Sequence, residues 1–349
     1  MDESKVIQCE THYLDLIVPS LKYKHTICYY LWRKNNVVLQ QQPTRYIYCF
    51  HRLAGNGKEF DYLARQLLER INNDDDDDQP IVVVCADVCG RGQSQYLEDP
   101  QDYEYKTYIA DAMALINHVS PNQPIDLIGT SMGGLIGISL LVTSFYNKLK
   151  QETADDQQQP KDHFVVLNRN DNININQQPT ALLPYIEINR LILNDVGAFV
   201  TLESLSSIAS YVGCMPTFSS RQEATQFFQK VYNGFGNLTD DQWSYFVDRC
   251  IIPENENKLK FHFDPSISIN LKKVESDVDM WSFWNNIIVK STKQILILRG
   301  KLSKILTNET FNRMVNGNDN VQGIEFENVG HAPSLLVEDQ IQPIIKFLS

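Results

Sequence analysis

Apolar runs of strand length alternate with amphipathic stretches of helical period along most of this chain. A weak alternation marks a strand around Tyr13–Val18, and Thr26–Arg33 reads as a firmer one. Arg45–Phe50, rich in aromatic and β-branched residues, predicts a central strand. From about Glu59 to Ile71 the apolar residues Phe60, Leu63, Ala64, Leu67 and Leu68 recur at helical spacing. Ile81–Ala86 is a continuous apolar run, the kind that is buried on both faces of a parallel sheet. A helix over Tyr103–Val119 follows, then an apolar run ending at Ile128 and a helix from Gly133 onward. Ile188–Leu193, Gln294–Leu298 and Gly323–Phe326 read as later strands, and a closing helix ends near Leu348. This order predicts an α/β fold with a mostly parallel central sheet flanked by helices. Ligands in such sheets bind beyond the carboxyl ends of the strands.

Three stretches depart from the alternation. The run Asp74–Asp78 reads as a solvated loop. Residues 151–180 are biased toward Asn, Gln, Asp and Pro and are expected to be a largely disordered insertion. Residues 200–285 lose their strand pattern and are expected to be helical, with aromatics such as Phe227, Phe228, Tyr232, Phe235 and Trp243 spread through them. A helical block between two sheet strands is placed to roof a site. The expected organisation is therefore a core of 1–199 and 286–349 with a helical cap of 200–285 inserted after the sixth strand.

Composition narrows the partners. With 43% apolar and 21% charged residues the 349-residue chain reads as an ordinary globular protein. Its net charge of −12 argues against nucleic acid or an anionic membrane as partner. No apolar run approaches the ~18 residues that a membrane span needs. Seven scattered cysteines, with no C-x-x-C pair and no apolar leader, point to a reducing, cytoplasmic setting.

Between the run ending at Ile128 and the next helix stands Gly129-Thr130-Ser131-Met132-Gly133, a G-x-S-x-G pattern. A strand that turns straight into a helix strains the middle residue and pushes its side chain out at the top of the sheet. Glycines two before and two after remove the Cβ atoms that would clash. The helix N-terminus then aims N–H groups at any anion formed on a substrate of Ser131. Ser131 is the candidate nucleophile. A serine hydroxyl needs an imidazole within hydrogen-bond reach to take its proton. His331, in Val329-Gly330-His331-Ala332-Pro333 after the last strand, is the candidate base. His51 and Asp87 also fall at strand ends; Asp87, in Asp87-Val88-Cys89-Gly90-Arg91-Gly92-Gln93-Ser94, reads as fixing a loop. That loop lacks the spacing of a phosphate cradle, and no cofactor or metal motif competes.

Taken together, the His51 loop, the Asp87 stretch, the Ser131 elbow, Asn194-Asp195-Val196-Gly197 and Gly330-His331 resemble the α/β-hydrolase superfamily in order and spacing. The resemblance is to its esterase-like members with a helical cap and spans nearly the whole chain. It implies Ser131 as nucleophile, His331 as general base, and the backbone N–H groups of Leu53 and Met132 as the oxyanion hole. It implies a serine hydrolase acting on a small-molecule acyl or ester substrate through an acyl-enzyme, with no cofactor. C–C bond hydrolases and thioesterases share the same machinery.

Two departures stand out. Arg52 follows His51 where the family usually has glycine; it either strains the loop, binds a substrate carboxylate, or lies on the surface. Lys304 stands in Gly300-Lys301-Leu302-Ser303-Lys304 where relatives carry the triad acid, and a cation cannot orient the imidazole. Asp195, at the end of the preceding strand, is then either the triad acid or a residue that only bonds backbone in its turn. Lys304 and Arg52 also motivate a competing class, an impaired hydrolase fold acting as a small-molecule binding or interaction protein.

Overall fold

The computed structural model describes residues 6–18, 21, 23–37, 44–71, 79–153, 165–167, 185–213 and 215–349. Seven strands come before the helical excursion: β1 (Ile7–Ile17), β2 (His25–Lys34), β3 (Arg45–Phe50), β4 (Ile81–Asp87), β5 (Ile125–Thr130), β6 (Val165–Leu167) and β7 (Ile188–Asn194). Beyond β7 lie the two-residue β8 (Phe199–Val200), the hairpin strands β9 (Ile251–Asn255) and β10 (Lys258–Phe261), and β11 (Val278–Asp279). The chain returns to the sheet with β12 (Gln294–Gly300) and β13 (Val321–Phe326). The main sheet has the order β13-β12-β7-β5-β3-β4-β2-β1-β6. From β13 to β4 every neighbouring pair is parallel, and β2, β1 and β6 extend that edge in antiparallel fashion.

Helices α1 (Asp61–Arg70), α2 (Tyr105–Val119) and α3 (Met132–Thr153) link the first parallel strands. In the excursion lie α4 (Leu202–Val212), α5 (Arg221–Val231), α6 (Asp240–Cys250) and the single turns α7 (Ser268–Leu271), α8 (Trp281–Phe283) and α9 (Val289–Ser291). Helix α10 (Asn308–Val315) joins β12 to β13, and α11 (Glu338–Leu348) closes the chain. The pleat of β4 divides the core in two. Val82, Val84 and Ala86 face the layer of α2 and α3, with Ala112, Leu115, Ile136 and Leu140. Ile81, Val83 and Cys85 face the layer of α1 and α11, with Leu63, Leu67, Ile341 and Ile344. A strand covered on both faces has no polar side to show, hence its unbroken apolar run.

The excursion differs from expectation in two respects. It is not wholly helical: Ile251–Asn255 and Lys258–Phe261 pair as an antiparallel hairpin. Because Val165–Leu167 adds a strand beside β1, the excursion follows the seventh strand rather than the sixth. That strand lies inside the 151–180 segment expected to be disordered; most of the rest of the segment, like Asp74–Asp78, lies outside the described residues. Among the described residues no helix is long and apolar enough to cross a membrane.

Candidate active site

The chain order of the parallel strands reverses around β3, with β4 on one side and β5 on the other. The carboxyl ends of β3, β4, β5, β7 and β13 therefore converge on one crevice. Ser131 sits between β5 and α3 with φ of +52°, a left-handed conformation unusual for a residue with a side chain. Its N–H donates to the Asn194 carbonyl at 2.9 Å, and its own carbonyl accepts from Gly134 and Leu135 at the start of α3. A Cβ at Gly129 would lie 2.4 Å from the Gly134 nitrogen, and one at Gly133 would lie 1.9 Å from the Phe50 carbonyl oxygen. Both glycines are thus required by close backbone approach. Gly133→Ala is expected to lower stability by about 3 kcal/mol or more, since the neighbour is backbone and cannot turn aside. A urea midpoint equal to wild type would contradict this.

His331 links two of the predicted residues. Its Nε2 is 2.9 Å from Ser131 Oγ and its Nδ1 is 2.6 Å from Asp195 Oδ2. A proton on Nδ1, shared with the carboxylate, leaves Nε2 free to accept from the serine hydroxyl. Asp195 is fully buried at the end of β7, with φ of +56°. Gly300 N–H donates to its Oδ1 at 2.9 Å, and Ser303 Oγ–H donates to Oδ2 at 2.5 Å. The turn after β12 therefore supplies no acid of its own. Because β7 and β12 are adjacent, the carboxylate of one strand end is received by donors at the next. Lys304 is exposed and makes no ion pair among the described residues. Ser303 is a partner that sequence reasoning passed over, although it stands in the very turn searched for a carboxylate.

Leu53, in the turn after β3, and Met132, first residue of α3, line the same cavity as Ser131. Among the described residues neither backbone N–H donates to a protein acceptor. At a helix start such a donor is free for a ligand. The cavity, of about 170 Å³, is walled by Tyr108, Leu135, Val196 and Ile305 and by Leu205 and Ile267 from the excursion.

Arg52 behaves otherwise than any of the three readings expected. It is buried, and its φ does not lie in the left-handed region, so no strain attaches to it. Its guanidinium pairs with Glu59 at 2.8 Å, donates to Tyr232 Oη at 3.1 Å and lies over the rings of Tyr232, Phe246 and Phe235. Tyr232 lies 180 residues away in the chain, and no local pattern announced it. Asp87 fixes its loop as expected, accepting from Gly57 N–H, Gln93 N–H and Tyr30 Oη–H at 2.6, 2.8 and 2.9 Å.

His51 is fully buried; its Nδ1 donates to the Arg52 carbonyl at 2.7 Å and its Nε2 accepts from Val88 N–H at 3.0 Å. Burial holds the ring neutral, moving it from 6.5 down to about 3. Below pH 6.5 the unfolded chain takes up a proton that the folded ring refuses. The stability from neutral His51 is therefore intact above 6.5 and is lost as pH falls toward 3, by about 1.4 kcal/mol per pH unit. Urea titrations from pH 6.5 to 4.5 should show wild type losing that much more per unit than His51→Gln. Equal slopes would contradict it.

No family model matches the chain. A 3-hydroxybutyrate-oligomer hydrolase of Cupriavidus necator is 27% identical over 306 residues, covering 85% of this chain and 86% of the relative. A Rickettsia typhi structure described as a candidate hydrolase superposes with a TM-score of 0.71 at 24% identity, over 98% of both chains. An α/β hydrolase of Novosphingobium aromaticivorans gives 0.69 at 22% identity, covering 96% of this chain and 98% of its own. The chain has the α/β-hydrolase fold. The Cupriavidus necator relative is named as a hydrolase, which supports a hydrolytic function.

Proposed function

We propose that this chain is a serine hydrolase of carboxylic esters, with Ser131 as nucleophile, His331 as general base and Asp195 as triad acid. The observation that carries it is the pair of hydrogen bonds through His331, 2.9 Å to Ser131 Oγ and 2.6 Å to Asp195 Oδ2, at the edge of an apolar cavity. In this reading His331 Nε2 removes the hydroxyl proton as Oγ attacks the ester carbonyl. Asp195 keeps the imidazole in the right tautomer and balances the imidazolium. The tetrahedral oxyanion takes hydrogen bonds from the Leu53 and Met132 N–H groups. His331 then protonates the departing alkoxide, which leaves as the alcohol. Water, deprotonated by the same imidazole, attacks the acyl-enzyme and releases the acid.

The division of labour follows. In this reading the described residues of 1–199 and 286–349 are the catalytic core and those of 200–285 a cap, whose Leu205, Ile208, Ile267, Leu271 and Val274 close the cavity over Ser131. The impaired-hydrolase reading rests on Lys304 and Arg52; Asp195 beside His331 and the Arg52–Glu59 pair support the catalytic reading over it. The described cysteines are free and, Cys9 apart, buried, which fits the reducing cytoplasm we assign.

Among esters, the relative's name favours oligoesters of short hydroxy acids. The test is hydrolysis of p-nitrophenyl acetate, butyrate and octanoate and of linear 3-hydroxybutyrate trimer, by wild type and Ser131→Ala side by side. Turnover by wild type alone supports the reading, and trimer cleavage assigns the oligoester class. A wild type no faster than Ser131→Ala on every substrate overturns it.

A further inference from the structure

One residue of the Asp87–Ser94 stretch has no part in that mechanism. Arg91 is fully buried, between Gly90 and Gly92, both with positive φ (+78° and +55°). A Cβ at Gly92 would meet the Asp87 carboxylate at 2.2 Å, so the turn that carries Arg91 inward tolerates only glycine there. The excursion clamps the turn from outside: Gly92 N–H donates to the His262 carbonyl at 2.9 Å and Asp264 N–H to the Gly90 carbonyl at 2.8 Å.

The guanidinium reaches the two segments that carry the proposed oxyanion donors. Its Nε–H donates to the Leu53 carbonyl at 3.0 Å and one Nη to the Cys89 carbonyl at 2.7 Å. The other Nη lies 3.5 Å from Met132 Sδ. The rings of Tyr108 and Tyr103 face it at 4.9 and 5.8 Å. Among the described residues it has no carboxylate ion-pair partner; Asp111, on the helix that carries Tyr108, is bonded to His25 at 2.8 Å instead. Taking a cation out of water without a counter-charge is strongly unfavourable. Carbonyl dipoles and ring faces offset only part of that.

We propose that Arg91 is a positioning residue for the oxyanion hole, and that the negative charge it lacks in the resting protein is the oxyanion itself. Its fork fixes Leu53 and Met132 relative to one another, and its charge favours the one state in which an anion stands between their N–H groups. A contribution made only in the transition state lowers kcat when removed and leaves KM alone. The inference rests on the ester-hydrolase reading above.

The test compares wild type, Arg91→Lys and Arg91→Met on the best p-nitrophenyl ester, with Ser131→Ala as the blank. A trifluoromethyl ketone, which forms an oxyanion on the serine, is measured beside its reduced alcohol, which does not. For Arg91→Met we expect kcat to fall about 100-fold with KM within about threefold, the scale of one lost oxyanion donor. Ketone affinity should fall in parallel and alcohol affinity should not. Arg91→Lys, which keeps the charge without the fork, should recover about tenfold in kcat, and it carries the test if the Met variant fails to fold. A folded Arg91→Met with wild-type kcat overturns the inference alone, as does equal weakening of ketone and alcohol. A wild type that cleaves no ester overturns the reading beneath it, and the inference with it.

Discussion

Ser131→Ala is expected to lose about 10⁶ in kcat toward esters, leaving only what the oxyanion donors and binding contribute. The fold should survive. The residue is held by its backbone, through Asn194 and the first turn of α3, and those bonds are available to alanine. Alanine in a left-handed conformation is strained to much the same degree as serine, so the thermal midpoint should move little. Substrate should still bind, because the cavity loses one hydroxyl and no wall. Steady-state kinetics with equilibrium binding of the butyrate ester check this. Residual turnover above about one part in 10³ would mean that another nucleophile acts.

Asp195→Asn carries the second large effect, about 10⁴ in kcat. The carboxylate accepts three hydrogen bonds and donates none, from Gly300 N–H, Ser303 Oγ–H and His331 Nδ1. An asparagine matches one oxygen and turns an NH₂ group toward donors. Either His331 keeps Nδ1–H and faces an N–H, or it moves the proton to Nε2 and can no longer accept from Ser131. The imidazolium also loses its counter-charge. KM should change less than kcat, since Asp195 is shielded from the cavity. If Asp195 only secured its turn, Asp195→Asn would lower the melting temperature and keep kcat within about tenfold. That outcome would return the acid to an unassigned residue.

What could be read in the sequence follows from how locally each feature is determined. The central strands stood out because burial on both faces leaves uninterrupted apolar runs, as in Ile81–Asp87. Strand β1 was read short, since its first half lies at a partly exposed edge and the polar run Glu10-Thr11-His12 breaks its alternation. The β9–β10 hairpin carries Pro253 and several charges in two short strands, a pattern indistinguishable from loop. The elbow was legible because G-x-S-x-G is a compact local pattern, even though the demand on Gly133 comes from Phe50 on the neighbouring strand. The carboxylate beside His331 was legible only as one of two readings of Asp195, since 136 residues separate the two and only the adjacency of β7 and β12 brings Asp195 to that turn. Arg52 and Arg91 were opaque for the same reason: what buries a guanidinium is rings and carbonyls supplied from elsewhere in the chain.

If Ser131 is an activated nucleophile, covalent labelling reaches it without knowledge of the substrate. Wild type, Ser131→Ala and Asp195→Asn are treated with a fluorophosphonate, and intact mass and peptide mapping follow the adduct. One adduct is expected on wild type, mapped to Ser131, none on Ser131→Ala, and labelling of Asp195→Asn slowed by orders of magnitude. No adduct on folded wild type, or an adduct at another residue that persists in Ser131→Ala, would contradict it.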